Sequence, residues 1–484
     1  MFFTTIWRWI NYNLHDINPS KRWNAPQGYR EVLALCLPLI ASTTASSLML
    51  FTDRIFLSHY SVNAIAASLP AGVTKVAVSS FFMGIAAYSG VFVAQYVGAN
   101  KPERAAATLW QALYFAVATG LLLSLLFFAS EFIFGFGSPS PEIIALEIQY
   151  FEVLIAFSPL DLVMVVMSSF LAAMGRTKAV MWVSLLGAGF NIPMNYLLIF
   201  GLKVGGQVII PELGVRGAAV ATVLSWLLST VIYVFLIFNA KMERSFRVRS
   251  NHRLDWPLMR RLVKYGWPGG VQFFMELFAF GFFSFAVGHL GELELATNNI
   301  AFSVEALSFF PMVGVGQAIS IMVGQAIGRG QPSDGARATK TGAVISTAYV
   351  TMMASVFIFL PRPLLSLFLD AGQNPATKEF IYDLGRILLL YVSAYSFLDG
   401  LYLACFGAIK GAGDVWFPMA AMGLWGLFGL TAPILLLFWL DLATIDTLWY
   451  CMVFYVMGLT ITGAWRYRQG KWKSMMVIEP VMAD

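Results

Sequence analysis

The chain has 484 residues, of which 58% are hydrophobic and 12% charged, with a formal net charge of +5 and a mean hydropathy of +0.72. Soluble domains carry roughly 25% charged residues, so this composition excludes a soluble globular protein and places the chain in a bilayer. It holds four histidines and three cysteines and no HExxH, paired-cysteine, Walker or nucleophile-elbow motif, which excludes intramembrane metalloprotease and ATP-driven chemistry. No enzymatic activity, no cofactor and no nucleic-acid partner is expected.

Residues 1–28 read as a cytoplasmic N-terminal segment. Phe2, Ile6, Ile10 and Leu14 recur every four residues with Trp7 and Trp9 between them, the spacing of a short helix lying on the membrane interface. A hydrophilic stretch from Asn18 to Gln27 separates it from the first apolar run, so it does not read as a cleavable signal. Runs of the ~20 apolar residues that a membrane helix needs follow at about 31–57, 63–93, 105–129, 143–172, 178–200 and 216–238, within an N-terminal lobe at 29–240. A basic linker at 241–255 opens the stretch from Lys241 to Lys264, whose eight Lys and Arg residues form a solvated strap that fixes topology and meets anionic lipid. Six more runs, at about 257–290, 294–323, 336–360, 378–409, 415–438 and 443–465, fill a C-terminal lobe at 256–468, and a cytoplasmic tail at 469–484 closes the chain.

The two lobes are copies. Residues 93–102 read VAQYVGANKP and residues 323–332 read VGQAIGRGQP, 230 positions apart, and the same offset carries Pro38 onto Pro268, Ala66 onto Ala296 and Gly84 onto Gly314. Such a repeat fixes the architecture before any residue is given a role. The expected fold is an all-α polytopic membrane protein with twelve transmembrane helices in two six-helix lobes. Six is even, so both copies enter the membrane from the same side and are related by a pseudo-two-fold axis along the membrane normal. With the N-terminus inside, 24 of the 31 Lys and Arg residues fall in cytoplasmic segments, which puts both termini in the cytoplasm. Two lobes facing across a cleft make a transporter, because rocking one against the other exposes a midplane site to each side in turn.

A carboxylate at mid-bilayer costs at least ~2.5–3.5 kcal/mol, so each intramembrane acid is a functional candidate. Asp53 in the first span, Asp161 in the fourth, Glu276 in the seventh and Asp399 in the tenth stand out. Glu276 and Asp399 have no counter-ion nearby in sequence, and an unpaired buried carboxylate takes up a proton or holds a cation. Both are therefore candidate Na+ or H+ sites. Asp161 in FSPLDLVMV corresponds to Asp399 in YSFLDGLYL at an offset of 238, which leaves open two coupling sites or one functional copy beside a relic. Lys75 and Glu305 correspond at the 230 offset and would form an interlobe gate if their spans meet across the cleft. Asn191, Asn195, Asn298, Asn299 and Gln317 join helices through hydrogen bonds; Asn195, Asn299 and Gln317 are also candidate substrate contacts or oxygen ligands. Pro159, Pro193 and Pro311 are expected to kink helices, while Gly98 with Pro102 and Gly328 with Pro332 turn the chain. Cys36, Cys405 and Cys451 sit singly in apolar spans as packing residues, with no disulfide or metal site.

Seven segments carry a family resemblance. They are FTDRIFLSH in the first span, VAQYVGANKP closing the second, AAMGRTK after the fourth, GVRGAAVATVLSW opening the sixth, GWPGGVQFFMELFAF, FFPMVGVGQAISIMVGQAIGRG and FLDGLYLACFGAIKGAGD. In order and spacing, from Gly28 to Arg468, the chain resembles the multidrug and toxic compound extrusion (MATE) transporters, particularly their NorM-like bacterial branch. The resemblance implies efflux of varied, often cationic amphipathic compounds in exchange for Na+ or H+ across a bacterial inner membrane; one chain already contains a complete two-lobed pathway, so a functional monomer is expected. It also implies cation coupling at Asp53, Glu276 and Asp399, whereas Asp161, Lys75 and Glu305 stand outside the family pattern. The 22 methionines and 15% aromatic residues suit an adaptable apolar cleft. A flippase of the same superfamily is the alternative, but it would show clustered basic residues for a pyrophosphate, and Lys75 is nearly alone against several acids.

Overall fold

The computed structural model describes residues 22–135, 140–204, 207–369 and 374–479. The interfacial helix expected at residues 2–14 lies outside the described residues. Helix α1 (Tyr29–Tyr60) gives way at Ser61 to α2 (Val62–Gly98), whose first turn is capped by the Ser61 hydroxyl accepting from the Ala64 N–H at 3.0 Å. Helix α3 (Pro102–Ser124) runs through a 3-10 turn, Leu125–Ala129, into the short α4 (Ser130–Phe134). Then come α5 (Pro141–Ala156), α6 (Ser158–Ala173) and α7 (Thr177–Phe200). A small hairpin of β1 (Leu202–Val204) and β2 (Gln207–Ile210), antiparallel with Lys203 opposite Val208, leads to α8 (Gly214–Ile237) and α9 (Ala240–Phe246). The second half contains α10 (Trp256–Gly288), α11 (Glu292–Gly328), α12 (Pro332–Phe359), the short α13 (Pro361–Ser366) and α14 (Pro375–Ala412). It ends with α15 (Trp416–Trp425), a π-helical turn at Gly426–Thr431, α16 (Ala432–Trp439), α17 (Ile445–Gln469) and a 3-10 turn at Lys471–Ser474.

Among the described residues, eleven helical spans are long and apolar enough to cross a membrane, or twelve with the bent pair α5 and α6 counted as one span. That pair was expected as one span kinked at Pro159. The chain instead breaks at Phe157 and turns by 51°. Pro159 has no N–H, so it fits the first turn of α6, where no helical donor is needed. The Ser124 hydroxyl stands at the break, 3.2 Å from Ile155 O and 3.0 Å from both Ala156 O and Gly120 O of its own helix, and its single hydrogen serves one of these acceptors at a time. Gly120 of α3 lets the two backbones touch here, since a Cβ on it would lie 2.4 Å from Pro159 Cα.

The duplication is written into the turns. After α2, Asn100 adopts φ 55° and Lys101 N–H bonds to Tyr96 O at 2.9 Å; after α11, Gly330 adopts φ 71° and Gln331 N–H bonds to Ala326 O at 2.9 Å. Left-handed backbone of this kind favours Gly and Asn, and Pro102 or Pro332 then opens the next helix. The turns after α6 and α14 match in the same way. Gly175 and Gly413 both have positive φ, and Arg176 N–H bonds to Leu171 O at 3.0 Å as Asp414 N–H does to Ile409 O at 3.1 Å.

Two compact units form. The first comprises Ala41–Phe280, Val415–Gly423 and Val477–Asp484; the second comprises Met1–Ile40, Gly281–Asp414 and Leu424–Met476. The boundary passes through α1 and α10, so each unit takes the opening segment of the other repeat, whereas the sequence halves meet at the 241–255 linker. Tight backbone packing accounts for this exchange. Within the first unit, a Cβ on Gly84 of α2 would lie 2.5 Å from Gly270 Cα of α10. In the second unit, its repeat mate Gly314 meets Ile40, the mate of Gly270, where a Cβ would lie 2.9 Å from the Ile40 nitrogen. Small residues at such crossings let membrane helices approach closely.

The tail after α17 returns to the first unit. Val477 N–H bonds to Gln95 Oε1 at 2.9 Å, and the Glu479 carboxylate accepts from the Tyr96 hydroxyl at 2.8 Å, from Arg104 at 2.7 Å and from Arg261. Partial burial acts to raise the Glu479 carboxyl, but these donors overcome it and hold it down at about 2. A lowered carboxyl stabilises the fold above its unfolded value and stops doing so only as pH falls toward about 2. The Val477 amide should therefore keep the same hydrogen-exchange protection factor between pH 8 and pH 5. Glu479→Gln should lower that protection at a stability cost of about 1 kcal/mol or less, because the partners are partly exposed.

Candidate functional site

In the first unit, three helices converge on one carboxylate. Asn191 and Asn195 stand one turn apart on α7 and so share a face, and Pro193 between them leaves the Gly189 carbonyl without its helical donor. Asp53 of α1 is buried at 3% exposure, and its carboxylate accepts from Asn195 Nδ2 and from the Thr222 hydroxyl of α8 at 3.1 Å. Asn195 Nδ2 also donates to Asn191 Oδ1 at 2.8 Å, which leaves Asn195 Oδ1 and Asn191 Nδ2 buried without partners. Tyr150 of α5 is buried near the same carboxylate. Among the described residues, Asp53 makes no ion pair with a Lys or Arg. A buried carboxylate held by one amide N–H and one hydroxyl, with no basic partner among the described residues, is a candidate point for uptake of a proton or a monovalent cation.

A second charged group in this unit is self-contained. Lys75 Nζ of α2 donates to Asp161 Oδ2 of α6, with side-chain exposures of 5% and 7%. The ammonium also stands 4.6 Å from the ring centre of Trp226 on α8, a distance at which a cation is held by the ring face.

In the second unit, Tyr391, Tyr395 and Asp399 follow one another by one turn on α14, and Asn298, Phe302 and Glu305 follow on α11. The Tyr395 hydroxyl faces the Glu305 carboxyl, and Asp399 lies near the same phenol. Trp449 of α17 packs on the rings of Phe283, Phe302, Tyr391 and Tyr395 at 5.4, 5.5, 6.0 and 6.1 Å. Glu305 Oε1, Tyr395 Oη, Trp449 Nε1 and both amide atoms of Asn298 are buried without a hydrogen-bond partner. This cluster of buried polar groups around Trp449 is the second candidate site.

The residues singled out in the sequence divide as follows. Asp53 and Asn195 meet directly. Lys75 and Asp161 also meet, within the first unit, and Glu305, the repeat mate of Lys75, faces Tyr395 in the second. Glu276 is half-buried on α10 in the first unit, and Asp399 is buried in the second. Asn299 and Gln317 are exposed, and it is Asn298, one residue earlier, whose amide is buried. Sequence reasoning passed over Thr222, Trp226, Tyr395 and Trp449. Thr222 and Trp226 bracket one turn inside the quoted GVRGAAVATVLSW segment, and Tyr395 stands one turn before Asp399, so helical spacing was the available signal.

The MatE family profile matches the chain twice, over residues 38–197 and 268–434, beginning at the repeat mates Pro38 and Pro268. The probable multidrug resistance protein NorM of Burkholderia pseudomallei is 30% identical over 404 residues, covering 81% of this chain and 83% of that protein. A protein of the same name from Thermotoga maritima is 27% identical over 418 residues, 85% of each chain. The solved structure of an outward-facing multidrug resistance MATE family transporter of the MOP superfamily shares the fold, with a TM-score of 0.83 at 18% identity over 92% of this chain and 96% of that one. Matched by one profile in both repeats and aligned with these relatives over most of its length, the membrane-embedded chain belongs to the MatE family, the multidrug and toxic compound extrusion transporters.

Proposed function

We propose that this protein is a secondary active antiporter that exports cationic or amphipathic small molecules in exchange for Na+ or H+ by rocker-switch alternating access. It acts as a single chain in the bacterial inner membrane with both termini in the cytoplasm, and moves its substrate without covalent change. The observation that carries this reading is the Asp53 carboxylate, buried among neutral oxygen and amide groups with no base at hydrogen-bonding distance among the described residues. The Glu305, Tyr395 and Asp399 group supplies a second carboxylate centre, and Glu276 is kept as a coupling residue from the family resemblance. The names of the NorM relatives support multidrug substrates.

Coupling requires that ion and substrate prefer different conformations, since a ligand with equal affinity for both shifts nothing. Ion uptake at Asp53 would neutralise a charge held in one arrangement of α1, α7 and α8, and favour an arrangement with lower substrate affinity. Linkage makes the effect reciprocal, with a size of roughly 5–150-fold. The test is fluorescence titration of the purified protein with a cationic dye at varied Na+ and varied pH. One of the two ions should raise the apparent Kd of the dye in wild type and leave it unchanged in Asp53→Asn. Dye affinity indifferent to both ions in wild type would overturn the antiporter reading.

A further inference from the structure

The buried pair of Lys75 and Asp161 has no part in the ion uptake described above, yet it sits at a structural discontinuity. Asp161 is in the first turn of α6, directly after the 51° break from α5. On the α3 side, the elbow is braced by Ser124 and by the contact of Gly120 with Pro159. Lys75 of α2 supplies its ionic tether, and the same ammonium is seated on Trp226 of α8. Trp226 lies one helical turn beyond Thr222, whose hydroxyl bonds to Asp53. One helix thus touches the Asp53 carboxylate through Thr222 and the elbow's tether through Trp226.

A hydrophobic pair of similar volume would fill this space with a smaller desolvation cost. What the ion pair adds is direction. An ammonium has three donor positions, so it holds the Asp161 turn to α2 while its ring contact registers any shift of α8. We propose that Lys75 and Asp161 are a positioning pair that couples the α5 and α6 elbow to α8, so that ion loading at Asp53 changes the state of the elbow. This inference rests on the ion-coupled reading. It also removes Asp161 from the ion sites, because its carboxylate is already paired with Lys75. The polar and charged groups around the route are Arg54 on α1, Tyr150 on α5, Asn191 and Asn195 on α7 and Thr222 on α8, besides the pair itself.

The test is hydrogen exchange at the backbone amides of residues 155–161 in the full chain in lipid nanodiscs, with and without the ion that drives wild-type transport. The neutral double variant Lys75→Met with Asp161→Asn keeps the volume of the pair and removes both charges, which guards against simple failure to fold. In wild type and in Lys75→Arg, the ion should change elbow protection roughly five-fold or more, the low end of ordinary coupling. In Asp53→Asn and in the double variant that change should vanish. The double variant should also lose transport turnover while its dye KM stays near the wild-type value. A double variant that keeps both the ion-dependent exchange and the turnover would overturn the positioning role alone, leaving the antiporter reading intact. A wild type with no ion-driven transport would overturn both.

Discussion

Asp53→Asn is expected to abolish ion-driven export while the protein still folds. Asparagine has nearly the volume of aspartate and can still accept from Thr222 or Asn195, so the loss is about one hydrogen bond, on the order of 1 kcal/mol. The charge is what disappears, and with it the reason for a cation or proton to bind between α1, α7 and α8. Dye flux under the driving gradient should fall to the level measured without a gradient. Flux is measured in vesicles with equal amounts of inserted protein, and a flux within twofold of wild type would remove Asp53 from the coupling set.

Lys75→Met is expected to have the largest effect on stability. It leaves Asp161 buried without its cation, and breaking such a pair costs roughly 3–5 kcal/mol. The cost follows from burial: exposures of 5% and 7% allow almost no water to replace the partner. Adding Asp161→Asn to the same chain should restore most of the loss, because a neutral carboxamide beside the introduced thioether carries no uncompensated charge. Thermal unfolding of the detergent-solubilised variants gives the comparison. Equal melting temperatures for Lys75→Met and wild type would show that the pair is not charged in the folded protein.

The architecture was legible because duplication leaves local marks. The Gly, Asn and Pro residues of VGANKP and IGRGQP dictate a turn wherever they occur, and Asn100 and Gly330 adopt matching left-handed backbones. Apolar run length found every span, including the one that breaks, but it could not find the break. The position of the elbow depends on Ser124 and Gly120 of α3, which lie outside the broken segment.

The buried acids were legible in the sequence, and their contacts much less so. Intramembrane cost singles out Asp53, Asp161, Glu276 and Asp399 from sequence alone. Their partners come from helices far along the chain: Lys75 and Asp161 are 86 residues apart, and Asp53 and Thr222 are 169 apart. The paired amides show the limit most directly. Asn298 and Asn299 are neighbours, yet one step along a helix turns the side chain by about 100°, and only packing decides which is buried.

The most direct test of the account is export of a cationic dye from proteoliposomes under an imposed Na+ gradient and, separately, under a pH gradient, for wild type, Asp53→Asn and Asp399→Asn. The account predicts that one gradient drives wild-type export, that the same ion moves in as dye moves out, and that both variants lose the drive. Active wild-type protein that exports dye equally with and without either gradient would contradict it.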